Sequence, residues 1–204
     1  VNNSKVNEPL LQQTIGNIIA GDVIADANLY TNLLLLSDIA GVSVQSTLSP
    51  GGEVGHSDVQ LQITDAVRVS GSVAVDQYGD TYTGQERLVA SANINNLAKH
   101  GDVLSLNGMV TSGDLKFGRM EYDWLLNGNG SHIGAAYSSF NYALGKDLAS
   151  LQAYGTSRVA SAWFKHPLKR SLTANVNSKL EYQDNQLKDH VDSSGLRTDR
   201  TLKQ

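Results

Sequence analysis

The sequence predicts a small α+β unit over residues 1–66, followed over residues 67–204 by the N-terminal strands of an antiparallel transmembrane β-barrel, an incomplete barrel of about seven strands. Three observations predict it. Helical spacing of apolar residues is confined to the first forty positions. From Val67 onward apolar and polar residues alternate in segment after segment, with Gly, Asn and Asp turns between them. The alternating segments are long, and their polar sides carry charge.

Composition narrows the alternatives. Charged residues are 18% of the 204, below the quarter usual in soluble chains. The formal net charge of -4 offers no basic surplus to nucleic acid. Cysteine is absent, which removes disulfide frameworks, thiolate zinc sites and a Cys nucleophile. Val1 to Lys5 has neither the basic start nor the apolar core of a signal peptide and reads as a processed or clipped end. No apolar run approaches the ~18 residues a membrane helix needs. If the chain enters a membrane, it does so as strands.

The small unit reads helix, helix, strand, strand. From Glu8 to Ala20, residues Leu10, Leu11, Ile15, Ile18 and Ile19 share a helical face, with Pro9 near the start, where a first-turn proline costs little. Gly21 and Asp22 break the pattern. A second helix is expected from Asp26 to Ser37, capped by Asp22 or Asp26. Leu29, Leu33 and Leu36 form its apolar face, Tyr30 and Leu34 lie beside it, and Gly41 ends the segment in the left-handed conformation. Val42 to Leu48 alternates as a strand, Ser49-Pro50-Gly51-Gly52 turns, and Asp58 to Thr64 is a second strand with Val59, Leu61 and Ile63 on one side.

Seven further strands are expected. Their apolar sides are Val67 to Val75, Leu88 to Ile94, Leu104 to Val110, Met120 to Leu126, a weaker Ile133 to Tyr137, Ala160 to Phe164, and Leu172 to Tyr182. For residues 155–166 the alternation leaves open which side faces out.

Alternation fits a soluble sandwich as well as a membrane barrel, and three details favour the barrel. Arg170 to Gln186 is near seventeen residues of strand, against roughly 5–6 in soluble sheets and ~9–11 for a tilted membrane strand. Arg119, Glu121, Asp123, Asn175, Asn177, Lys179 and Glu181 suit a wet lumen, since Lys or Arg facing lipid at the midplane costs about 2–4 kcal/mol. Tyr78, Tyr82, Tyr122, Trp124, Tyr137, Tyr142, Trp163 and Tyr182 fall near strand ends, as interfacial girdles do. Single-chain bacterial barrels close with an even number of strands, eight or more. Seven cannot close, and Thr198 to Gln204 does not read as an apolar, aromatic last strand, so a fragment is the simplest expectation.

Specific motifs then appear in order. Asn32-Leu33-Leu34-Leu35-Leu36-Ser37-Asp38-Ile39-Ala40-Gly41-Val42, Thr47-Leu48-Ser49-Pro50-Gly51 and Gly55-His56-Ser57-Asp58-Val59 resemble the end of the second POTRA domain in two-partner secretion transporters, the ShlB/FhaC/HecB family of haemolysin secretion and activation proteins. Ala40 stands for the usual Pro of "DLPGV", and Val59 for the usual Leu of "GxxDL". Val69 to Gly79 with Tyr82-Thr83-Gly84 is similar to "GxVxxDNxGxxxTG", Asp102 to Leu106 to "GDxLxL", and Trp163 to Ser171 to the "YPLxRS" hairpin. The resemblance covers about Leu29 to Gln186.

It implies a plug helix, two POTRA domains and a sixteen-stranded barrel. This chain would supply most of the second POTRA domain, whose first strand is uncertain because Val1 to Val6 is short, and the first barrel strands. No Val-Arg-Gly-Tyr motif is present to assign. The implied function is protein transport: an unfolded secreted exoprotein of haemolysin, adhesin or toxin type is caught in the periplasm and passed through the outer membrane. Outer-membrane lipid is a second partner; no cofactor, metal or nucleic acid is implied. An exposed sheet edge, Asp58 to Thr64 or its neighbour, could accept the substrate as an added strand. An assembly factor of the same superfamily and a soluble β-rich binding protein are the rival readings.

Chemistry-bearing residues support no enzyme. His56, His100, His132, His166 and His190 lie near expected turns and show no HxxxH or HExxH spacing. His132 with Ser138 and His166 with Ser161 are the local candidates for a Ser-His pair, which would need a third polar group. Gly51-Gly52 and Gly128-Asn129-Gly130 are turn glycines outside any βαβ phosphate loop. No catalytic, cofactor-binding or metal residue is assigned, and substrate-contacting residues are unknown.

Overall fold

A computed structural model describes residues 1–16, 26–52 and 56–204. Two antiparallel hairpin systems organise them. Strands β2 (Val42–Pro50) and β3 (Ser57–Asp65) form a hairpin, and β1 (Asn2–Asn3) pairs parallel to β3, giving the order β1-β3-β2. A first strand therefore exists, although only two residues long. β1 covers β3 only at Ile63 and Thr64, so the start of β3 keeps an open side, and β2 is open along its whole length among the described residues.

Helices α1 (Glu8–Ile15) and α2 (Asp26–Ser37) cover this sheet. Pro9 lies in the first turn of α1, where its missing N–H breaks no helical bond. The expected extension of α1 to Ala20, with Gly21, Asp22 and Gly55, lies outside the described residues. In α2 the most buried positions are Asn32 and Leu36. Leu29 and Leu33 are only half-buried, so the inward face is rotated by one position from the expected leucine stripe. The core joins Val6, Leu10, Leu11, Leu36, Ile39, Val42 and Ile63 to Leu125, a residue of the second sheet. The small unit is thus completed by the larger one.

The second sheet is an eight-stranded antiparallel meander of β4 (Val69–Asp76), β5 (Arg87–Asn95), β6 (Val103–Thr111), β7 (Lys116–Leu125), β8 (His132–Ala143), β9 (Ala153–Arg170), β10 (Asn175–Val191) and β11 (Leu196–Lys203). The expected count of seven is corrected by β11, which pairs with Asp184–Val191 of β10. Its side chains Arg197, Asp199, Thr201 and Lys203 gave no apolar alternation to read. β10 begins at Asn175, because Ser171 accepts from and donates to Ala174 in a tight turn. With β4 and β11 at its margins the described sheet is open.

Register aligns the alternation across strands. Val69, Ile94, Leu104, Tyr122, Ala135, Ala162 and Tyr182 stand in one row, and Trp124, Ile133, Phe164 and Leu180 in the next. This face is apolar and open: Val73, Val75 and Leu180 are each more than 70% exposed. Apolar surface of that extent marks a membrane or protein contact. No described helix is long and apolar enough to cross a membrane. The register also settles residues 155–166: Ala160, Ala162 and Phe164 belong to the apolar face, whereas Trp163 and Tyr142 lie on the polar face and leave the expected girdle.

Candidate functional site

The polar face near the small unit carries two ordered rows. His132, Lys165 and Lys179 stand in register, and beside them Asp123, Gly134, Trp163 and Glu181. Lys165 and Lys179 face each other directly, which is unfavourable for like charges. The neighbouring row offsets this. Asp123 accepts from Lys165 Nζ at 3.2 Å and from Trp163 Nε1 at 3.0 Å, and its other oxygen meets His132 Nδ1 at 2.5 Å. Lys179 pairs with Glu181, and Arg119 with Glu121 at 2.8 Å. Both ammonium groups also lie over the Trp163 ring, 5.2 and 5.4 Å from its centroid, within cation–π range.

Trp163 is 4% exposed on the polar face, among its charged rows. Gly134, its cross-strand partner, makes this possible: a Cβ there would run into the indole. Tyr142 covers Gly155 in the same way, and donates to Asp189 at 3.0 Å. Sequence reasoning placed Asp123, Lys179 and Glu181 on this wall. It missed Trp163 and Lys165, whose signal was an aromatic on the polar phase of the alternation.

A second feature is the joint between the small unit and the near end of the sheet. Four glycines sit at its closest approaches. A Cβ on Gly41 would stand 2.6 Å from Asn96 Cβ, one on Gly101 2.7 Å from Ile39 Cγ2, and one on Gly130 2.9 Å from Leu35 Cδ2; one on Gly128 would strike the Thr14 backbone. Gly41 and Gly101 also have φ of +82° and +66°, where glycine alone is unstrained. At these four points backbone packs directly against the other unit, beside the side-chain core that joins Leu125 to Leu36 and Ile39. The joint's hydrogen bonds include Asn7 N–H to Lys99 O at 2.8 Å and Gly128 N–H to Gln13 Oε1 at 3.0 Å.

Asp102, fully buried, folds the β5–β6 turn that enters this joint. Its carboxylate accepts from Ala98 N–H at 3.0 Å, His100 N–H at 3.3 Å and Tyr122 OH at 2.9 Å. At the β9–β10 turn, Arg170 grips Asp38 of the small unit through two bonds, Nε at 2.6 Å and Nη2 at 2.8 Å. Thr31 Oγ1 donates to Arg170 O at 2.9 Å. The Asp of "GDxLxL" and the Arg of the "YPLxRS" hairpin thus serve one interface.

The candidate Ser-His pairs are not brought together. His132 engages Asp123, while Ser138 lies six residues along β8, about 20 Å away at strand rise. His166 Nδ1 meets Ser131 Oγ at 2.9 Å, and Ser161 lies on the opposite face from His166. His100 stacks on Trp124 at 4.8 Å, and His190 on Tyr154 at 5.1 Å. Among the described residues no three His, Asp or Glu side chains cluster as metal ligands. Gly51 and Gly128 occupy turns.

Comparison with known proteins follows this geometry. A family model described as haemolysin secretion/activation protein ShlB/FhaC/HecB matches residues 55–202. The heme/hemopexin transporter protein HuxB of Haemophilus influenzae is 32% identical over 170 residues in one strain and 33% over 171 in another, covering 83% of this chain. The chain spans about 30% of the length of these curated relatives. Among solved structures, CdiB from Acinetobacter baumannii matches with a TM-score of 0.73 at 19% identity, over 100% of this chain and 40% of that one. CdiB from Escherichia coli gives 0.72 at 20%, over 97% and 38%. BamA from Haemophilus ducreyi lacking POTRA domains 1–3 gives 0.58 at 17%, over 89% and 34%.

Proposed function

The chain belongs to the haemolysin secretion/activation protein family ShlB/FhaC/HecB, outer-membrane transporters of two-partner secretion, and from that premise we propose that it carries the substrate-receiving end of a protein-conducting barrel. In this reading residues 1–66 are a POTRA domain in the periplasm and residues 67–204 are the first strands of the barrel. The apolar face meets lipid and the polar face lines the pore. An unfolded exoprotein of haemolysin, adhesin or toxin type is received by the POTRA domain and passes along the polar wall. HuxB, a heme/hemopexin transporter protein by name, adds a haem-acquisition exoprotein to the candidate cargoes. The chain performs no catalysis and needs no cofactor.

One observation carries the reading: the small unit is docked at the end of the sheet where the polar face is most charged. Its longest open strand edge among the described residues is β2. Gly51 N–H bonds His56 O, and Ala66 N–H bonds Gly41 O. With the β2–β3 register, these bonds make the odd-numbered residues of β2 the ones paired to β3. Val44, Ser46 and Leu48 therefore turn their backbone N–H and C=O groups to the open edge, ready for an added strand. Pro50 also falls in the even phase, where its missing N–H costs no ladder bond.

The test is Ser46→Pro in the full-length transporter, measuring export of the exoprotein encoded beside it. This change removes an edge donor and keeps the β2–β3 ladder. Secretion should fall several-fold while the barrel retains its heat-modifiable migration. Unchanged secretion in both Ser46→Pro and Val44→Pro would refute strand addition at β2.

A further inference from the structure

Along β5–β10, the cations on the polar face are all paired. Arg87, Arg119, Lys165, Arg170 and Lys179 each meet a carboxylate. On the opposite, apolar face the pattern reverses. Lys116, Arg158, Lys188, Arg197 and Lys203 are exposed, and none has a carboxylate within ion-pair distance among the described residues. Lys116, Arg158, Lys188 and Arg197 lie toward the end of the sheet away from the small unit, and Lys203 stands in the row of Asp184, Ala160, Tyr137 and Met120.

Register fixes their spacing. Lys116, Asn141, Thr156, Lys188 and Asp199 form one row; Gly118, Ser139, Arg158, Gln186 and Thr201 form the next. Arg158 and Lys188 are thus diagonal neighbours, as are Lys188 and Arg197, with backbones about 7–8 Å apart. Asp184 and Asp199 share the face, opposite Lys203 and Lys188, so five cations stand against two carboxylates. Directly beside Lys116 and Arg158 is an apolar groove of 690 Å3, lined by Val73, Ala90, Gly108, Gly118, Met120 and Tyr137. Small residues in rows of larger ones make the depression.

We propose that this surface binds a phosphorylated lipid of the outer leaflet, with an acyl chain in the groove and phosphate on Lys116, Arg158 and Lys188. Two features point to that occupant. The groove is apolar and the cations at its rim are unpaired, which complements an amphiphile whose anionic head adjoins its tail. Phosphate accepts several charge-assisted hydrogen bonds from such side chains at once. The inference rests on the orientation proposed above, in which the small unit is periplasmic and this end of the sheet lies at the outer leaflet.

The experiment uses the full-length transporter in detergent with diphosphoryl lipid A, its dephosphorylated form and inorganic phosphate as probes. Binding of diphosphoryl lipid A should weaken at least tenfold when Lys116→Gln, Arg158→Gln and Lys188→Gln are combined. The dephosphorylated lipid should bind wild type no better than the diphosphoryl lipid binds that variant. Should the triple variant fail to assemble, Arg158→Gln and Lys188→Gln alone should each weaken binding about threefold or more. Undiminished affinity in these variants, equal binding of the dephosphorylated lipid, or displacement of the lipid by equimolar inorganic phosphate overturns the site. Lys188→Cys, in a chain that has no cysteine, separates this from orientation. Labelling by an impermeant maleimide in intact cells supports the proposal. Labelling only after the outer membrane is opened overturns orientation and lipid site together.

Discussion

Gly101→Ala should be among the more damaging single-methyl changes in the chain, and its cost can be separated into two parts. The first is backbone. At φ +66° a Cβ costs about 1–2 kcal/mol. The second is packing. The added carbon would stand 2.7 Å from Ile39 Cγ2 and 3.1 Å from Leu125 Cδ2, against an optimum of about 3.5–4.0 Å. Both partners belong to the buried core, so neither can turn away into solvent, and overpacking of this kind costs about 1–3 kcal/mol. Gly195 is the natural reference: its φ is +67°, and nothing lies within 4 Å of the Cβ position. Gly195→Ala should cost the backbone part alone. The difference between the two variants, about 1–3 kcal/mol, measures how tightly the small unit is seated. Denaturant unfolding of the full-length transporter followed by tryptophan fluorescence reads it, because Trp124 stacks on His100 beside the joint. A difference below about 0.5 kcal/mol would show that Ile39 is not held against the β5–β6 turn, and the fixed joint would fail as a description.

Two further perturbations address the same joint. Asp102→Ala removes the buried acceptor of two backbone donors and the Tyr122 hydroxyl in a turn whose tip is exposed, which should cost about 1–3 kcal/mol and open the link at residues 66–68 to protease; resistance equal to wild type would contradict the role given to Asp102. Asp38→Asn should cost no more than about 1 kcal/mol, because the Asp38 side chain is 46% exposed and solvent weakens such pairs. A double-mutant cycle with Arg170→Gln should therefore give a small coupling that fades with added salt.

How far the sequence reaches depends on what each residue's neighbours demand. The extent of the second helix, Asp26 to Ser37, was legible, because a leucine run and a terminal glycine point to the same segment. The meander was legible for seven strands, since each alternates apolar with polar. β11 was not, because every side chain it sends to the apolar-face side (Arg197, Asp199, Thr201 and Lys203) is polar. Its strand state comes from pairing with the far half of β10, a tertiary fact. Trp163 was assigned to a girdle because aromatics favour interfaces. Its actual place is decided by Gly134 on the neighbouring strand, twenty-nine residues earlier in sequence. The rotation of α2 that buries Asn32 has the same origin, in a partner surface that local spacing does not encode.

The sharpest such case is the exchange of character between the two faces along the strands. Near the small unit the polar face carries His132, Lys165 and Lys179. Farther along, the same face presents Val89, Met109, Phe117, Phe140, Ser157 and Leu187 in one row, while the adjacent row on the other face changes from Val75, Leu88 and Val110 on β4–β6 to Lys116, Asn141, Thr156 and Lys188 on β7–β10. A strand that only crossed a bilayer would keep one character per face. β9 has 18 residues, about 60 Å at roughly 3.3 Å each, whereas a ~30 Å hydrocarbon core crossed at ~45° takes about 42 Å. In the orientation proposed above, roughly a third of β9, and of β10 beside it, stands outside the hydrocarbon. There the exterior meets headgroups and water and is free to be charged. The interior is no longer required to be polar, and a row of Phe, Met, Val and Leu side chains can gather on it. On β7–β10 the two inversions occur at the same level because, in that orientation, both follow from one boundary, the place where the strands leave the membrane.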